Sequence, residues 1–194
     1  MEPRYKLKTA PAFEPVTIAQ LKRNLHIEED DHDRDEYLQE ILDAVVDDVQ
    51  TAIGRQLCRA TYTGYLDDFP AAGVDLDLTL GPVDAITTVK YYNTSNVLTT
   101  MAAADYLLDN VALTGRLRFL NTYSVYTDRL NAVEIEFTNG WATAAAIPKE
   151  IKDIIILIST RRVLNPEDEQ LNFGMGAKLT NSARLLKKYK VQRF

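Results

Sequence analysis

Between residues 53 and 59 the hydrophobic period of this chain changes, and that change limits the folds open to it. From about residue 34 to 53, Leu38, Ile41, Leu42, Val45, Val49, Ala52 and Ile53 recur at steps of three and four. That spacing puts them on one face of an α-helix. Gly54 follows as a natural C-cap. From residue 59 the step is two. In "VDLDLTL", Val74, Leu76, Leu78 and Leu80 alternate with Asp75, Asp77 and Thr79, and "AVEIEF" sets Val133, Ile135 and Phe137 against Glu134 and Glu136. Alternation of this kind predicts antiparallel strands with one wet face.

"DAITTVKYYN", "DYLLDN" and "GRLRFL" read as further strands, about six in all, punctuated at Gly81-Pro82 and Asn139-Gly140. Before them, "PVTIAQLKRNL" predicts a short helix with Thr17 as its N-cap and Ile18, Leu21 and Leu25 on one face. After them, Pro148 suits the first turn of a helix. "KEIKDIIILISTRRVL" is apolar almost all round, as a central core helix would be. "SARLLKKYKV" reads as a last short helix. The expected fold is α+β. A small helical core, residues 1–58 with 147–194, is interrupted by an antiparallel β insertion, 59–146.

The net charge is −6 and unevenly spread. Residues 28–48 hold eleven acids and one base, whereas residues 178–194 hold six bases and no acid. An acidic chain is a poor general DNA binder, but the basic end suits an acidic partner. Asp31, Asp33 and Asp35 alternate as in the first half of a calcium loop. The glycine and the bidentate glutamate of such a loop are replaced by Glu36 and Leu42, so calcium is not expected. Asp31 or Asp33 is expected instead to cap the helix that follows, with the acids at its positive end.

Other chemistry is equally thin. His26 and His32 have no recognised ligand spacing. "GMG" at 174–176 lacks the strand and helix of a phosphate loop, and no nucleophile elbow is present. The tyrosines fall mostly at strand positions, where cross-strand packing uses them. Cys58 is the only cysteine. It excludes an internal disulfide and reads as a packed thiol. No membrane span and no secretory signal are visible. No cofactor, metal or catalytic residue is expected.

The order of segments resembles a known family. "EPVTIAQLKRNLHIEEDDHDRDEYLQEILDAVVDDVQTAIGRQL" is similar to the N-terminal signature of the head–tail connector proteins. These are the adaptor or head-completion proteins of tailed phages and gene-transfer agents. The pattern falls on Glu14, Pro15, Val16, Thr17, Lys22 and Leu25, the acids around Asp35, and Gly54, Arg55 and Leu57. "LDDFP", "LTLGPVDAITTVKYYN", "VEIEFTNGWA" and "IPKEIKDIIILISTRRVLNPED" resemble later family segments, so the likeness spans about residues 14–168. His26 stands where an Arg is usual and Asp68 where a Gly is usual. Residues 165–182 have no clear counterpart.

The resemblance implies a structural virion protein of the neck, assembled in the host cytoplasm, and no enzyme. It implies a ring, twelve-fold, beneath a portal protein. The ring extends the DNA channel without sequence-specific binding and docks the next neck or tail protein. Another neck or tail-completion protein, or a small ligand-binding β module or enzyme, stays open as an alternative. The basic C-terminal end mixes apolar anchors with a charged rim, as binding patches do. Arg184, Leu185, Leu186, Lys187, Lys188, Tyr189, Val191, Arg193 and Phe194 are therefore the expected portal contact. Leu185, Leu186 and Tyr189 could instead cover the protein's own core.

Overall fold

The computed structural model describes residues 2–112, 114–165, 186 and 188–190. It is an α+β protein, as the change of period requires. The chain divides into two compact units, Met1–Ala12 with Cys58–Ala142 and Phe13–Leu57 with Thr143–Phe194.

The first unit is all β. Its strands are β1 (Arg4–Thr9), β2 (Ala60–Leu66), β3 (Asp75–Leu78), β4 (Val83–Tyr92), β5 (Leu98–Thr100), β6 (Tyr106–Asp109), β7 (Gly115–Phe119) and β8 (Val133–Asn139). They form a five-stranded sheet, β1-β2-β8-β4-β5, and a three-stranded sheet, β3-β7-β6, with every pairing antiparallel. Alternation decides which side chains enter the core. In β8, Val133, Ile135 and Phe137 are buried, whereas Glu134 and Glu136 are only partly covered. In β7, Leu117 and Phe119 point in and Arg116 and Arg118 point out. The inward residues of both sheets meet in one cluster with Leu66, Leu76, Leu78 and Val89. Phe69 packs edge-on against Phe119 and Tyr91 at centroid distances of 5.0 and 5.4 Å.

Two details depart from the alternation. Val74 shares the sequence alternation of Leu76 and Leu78, but it is 51% exposed. Its N–H bonds to the Ala71 carbonyl in a turn, so β3 starts one residue later. Strand β1, "RYKLKT", was not anticipated, and it places the first twelve residues with the sheets. Tyr5 holds it there. Its ring meets Phe137 edge-on at 5.8 Å, and its hydroxyl accepts the Thr79 N–H at 3.0 Å. Burial pushes the Tyr5 phenol above its usual pKa.

At Gly140 the backbone has φ 88°, and a Cβ there would lie 2.5 Å from the Cys58 carbonyl oxygen. Only glycine fits beside the Cys58–Trp141 bridge.

The second unit is helical, with α1 (Ile18–Leu25), α2 (Asp35–Ile53) and α3 (Lys149–Leu164) packed against one another. Thr17 caps α1 in a reciprocal box. The Gln20 N–H donates to Thr17 Oγ1, and the Thr17 N–H donates to Gln20 Oε1 at 2.9 Å. Leu38, Leu42, Val45, Val49 and Ile53 form the buried stripe of α2, which ends at Gly54 in the left-handed conformation, φ 67°. From α3, Ile151, Ile154, Ile155 and Ile158 are buried, while Leu157 and Leu164 are 41% and 66% exposed. The helix is therefore one-sided despite its apolar circumference.

Candidate functional site

Of the expected contact residues, Leu186, Lys188 and Tyr189 lie among the described residues. Arg184, Leu185, Lys187, Val191, Arg193 and Phe194 lie outside them. Leu186 and Tyr189 are only 4% and 8% exposed. The Tyr189 N–H bonds to the Leu186 carbonyl, closing a turn. Arg55 Nε donates to the Tyr189 carbonyl at 2.5 Å, and the Tyr189 hydroxyl donates to Glu150 Oε2 at 3.2 Å. Glu150 sits in the first turn of α3, where helix N–H groups favour a negative charge. Its own backbone N–H and then the tyrosine hydroxyl hold its carboxyl below the usual range. Arg55 is itself buried, which lowers its pKa. Leu186 and Tyr189 thus cover the helical unit, and Lys188 and Lys190 stay exposed.

The acidic stretch forms a loop and then a helix face. Neither Asp31 nor Asp33 caps α2, contrary to expectation. The cap position is Arg34, with no side-chain hydrogen bond. Asp31 Oδ1 instead accepts the Asp33 N–H at 3.2 Å, within the loop. Asp35, in the first helical turn, is ion-paired to Lys22 of α1. Further along α2, Glu36, Glu40, Asp43 and Asp47 are exposed and follow one another at helical spacing. Among the described residues none of the four forms an ion pair, although Gln39 Nε2 donates to Asp43 at 2.9 Å. Carboxylates three and four apart repel, so this stripe is held against its own charge.

The β unit treats charge differently. A groove of about 260 Å³ on the five-stranded sheet is lined by Lys6, Lys8, Lys90, Glu134 and Glu136, with Lys8 paired to Glu136 at 2.6 Å. On the three-stranded sheet Arg118 grips both oxygens of Asp75, at 2.6 and 3.0 Å, and Arg116 pairs with Asp109. These guanidinium bonds are the leading cause holding Asp75 and Asp109 below the usual carboxylate range. Among the described residues no group of three His, Cys, Asp or Glu is placed to hold a metal ion. No helix among them is long and apolar enough to cross a membrane.

The roles of Lys22, Arg55 and Glu150 were not legible beforehand. Each depends on a partner brought in by packing. The only hint was that Lys22 and Arg55 stood at positions of the resembled pattern.

No family model matches the sequence. No curated protein matches it either. Solved structures do share its fold. A chain from the neck of an empty GTA particle, computed with C6 symmetry, superposes with TM-score 0.77 at 18% identity over 98% of this chain and 97% of that one. A chain of the virion of a native gene transfer agent (GTA) particle gives TM-score 0.74 at 19% identity, covering 98% and 96%. A chain from the neck of a native GTA particle, computed with C12 symmetry, gives 0.66 at 18%, covering 97% of each. The protein therefore shares its fold with chains from the necks of gene transfer agent particles.

Proposed function

We propose that this protein is a structural subunit of a virion neck, a head–tail connector of the adaptor type. In this reading it forms a twelve-fold ring beneath a portal protein, extends the DNA channel and docks the next neck or tail protein. The observation that carries the reading is the fold match to GTA neck chains, which takes in nearly the whole of both chains. The acidic surface supports it. A wall carrying Glu36, Glu40, Asp43 and Asp47 repels the phosphate backbone, so DNA could pass without being held.

The portal contact is assigned to the C-terminal segment. Leu186 and Tyr189 anchor it to the subunit's own helices. The contact itself then falls to Lys188 and to Arg184, Leu185, Lys187, Val191, Arg193 and Phe194. Electron microscopy of the purified protein mixed with its portal tests the function: a ring seated on the portal is the expected result, and separate particles overturn it. Deleting residues 191–194 tests the contact while sparing the Arg55–Tyr189 anchor. The truncated protein should melt as the full chain does and fail to join portal-containing heads. Normal joining would remove the terminal residues from the contact.

A further inference from the structure

Lys22 is 3% exposed, yet it lies beside the stretch of chain richest in acids. Its ammonium is ion-paired with Asp35, donates to the Asp31 carbonyl oxygen at 2.7 Å and approaches the Glu29 carbonyl oxygen at 3.5 Å. One cation thus gathers two main-chain oxygens and a carboxylate from a single loop and the helix turn that follows it. That is the kind of donor set a hard metal ion takes; here a side chain of the same molecule occupies it. An ammonium this covered would be costly without such partners. The loop needs the cation in turn. Residues 28–36 carry seven acids and only Arg34 as a base.

The remaining bonds wrap the loop around this point. His32 Nδ1 meets the second oxygen of Asp35 at 2.7 Å. The Asp31 N–H donates to the Glu28 carbonyl and the Asp35 N–H to the His32 carbonyl, both at 3.2 Å. The side chains of Glu28, Glu29, Asp30 and Asp33 all remain exposed.

We infer that Lys22 is the built-in counter-ion of the acidic loop, a latch that holds residues 28–34 in one conformation and sets where α2 begins. The loop then presents its outer carboxylates as a fixed surface, and it does so without a metal. This inference stands apart from the neck reading, because it concerns the free subunit.

Amide hydrogen exchange on the full chain tests it. In Lys22→Met, exchange at residues 28–34 should accelerate at least about tenfold, the scale of one lost charge-assisted hydrogen bond, with the β unit unchanged. In Lys22→Ala, added propylammonium should restore protection, because it returns the cation and the three carbons of the removed stem. Potassium chloride at equal ionic strength should not. Asp35→Asn, which keeps Lys22 and the loop's volume, should give an intermediate acceleration and covers the case of a Lys22 variant that misfolds. Wild-type exchange at 28–34 in either Lys22→Met or Asp35→Asn overturns the latch. So does an acceleration in Lys22→Ala that propylammonium leaves unmoved, since returning the cation should return the latch.

Discussion

The two units of this protein handle charge in opposite ways. In the β unit several outward side chains find partners on other strands or loops: Arg118 with Asp75, Arg116 with Asp109, Lys8 with Glu136 and Arg59 with Asp84. In the helical unit α2 carries four exposed acids with no ion pair among the described residues, and one buried lysine serves the loop ahead of them. A sheet puts directly opposed residues about 5 Å apart, so pairing is easily reached. At its two ends α2 does find cations on other helices, Lys22 of α1 for Asp35 and Arg162 of α3 for Asp48, but along its exposed face neighbouring turns repeat the same sign. The difference teaches where to look for a partner. Surface charge that the fold has already neutralised has less to offer one than charge left standing.

The comparison can be broken from either side. The largest effect is expected from Ile158→Asp, since Ile158 is fully buried in α3. An unpaired buried carboxylate costs several kcal/mol, a large part of a typical domain's ~5–15 kcal/mol. The helical unit should lose its cooperative melt in circular dichroism. A soluble variant melting at the wild-type temperature would deny α3 its central place. Phe137→Ala, at the heart of the β unit, should cost about 3–5 kcal/mol in denaturant titration. If the two units unfold independently, the first variant leaves the β transition in place and the second leaves the helical one.

Smaller changes sharpen the contrast. Thr17→Ala removes the cap of α1 and should cost about 0.5–2 kcal/mol in the same titration. Acid should undo the latch. The Lys22 bond, seconded by His32, depresses the Asp35 carboxyl, so its stabilising share is complete above the ordinary aspartate value and is lost as pH falls through the lowered one. Protection of residues 28–34 should therefore hold constant from pH 7 to about 5 and decline only below about 4. A decline already at pH 6 would exclude the Asp35 carboxylate as the charge the latch depends on. The smallest effect is expected from Glu40→Gln. Relieving its repulsions from Glu36 and Asp43 should stabilise α2 by about 0.2–0.5 kcal/mol per pair at low salt, and less at high salt. A destabilised Glu40→Gln would reveal a partner for that carboxylate.

The resembled pattern gains a physical meaning from the structure. Thr17 caps α1, Lys22 holds the acidic loop, Gly54 ends α2 with a positive φ, Arg55 binds the Tyr189 carbonyl and Leu57 is fully buried. These residues make the fold. Their presence speaks to shape, and contact with a partner has to be sought on exposed positions instead. The C-terminal segment shows the same division: a composition that suits a binding patch includes two residues, Leu186 and Tyr189, that the subunit spends on itself.

Local physics made much of this legible in advance. The period of 3.6 in α2, the alternation in β3, β7 and β8, and the glycine after Ile53 each follow from neighbours a few residues apart. What the sequence alone did not reveal joins distant residues. Strand β1 exists because Arg4 to Thr9 pair with residues 61–65, more than fifty positions away. Its own alternation of basic and apolar residues is too short to distinguish a strand from a solvated terminus. The burial of Lys22 and the anchoring of Tyr189 by Arg55, 134 residues apart, likewise depend on loop closures that no local pattern encodes. Periodicity sets which face of an element is apolar. Only tertiary packing decides which charge is covered, and by what.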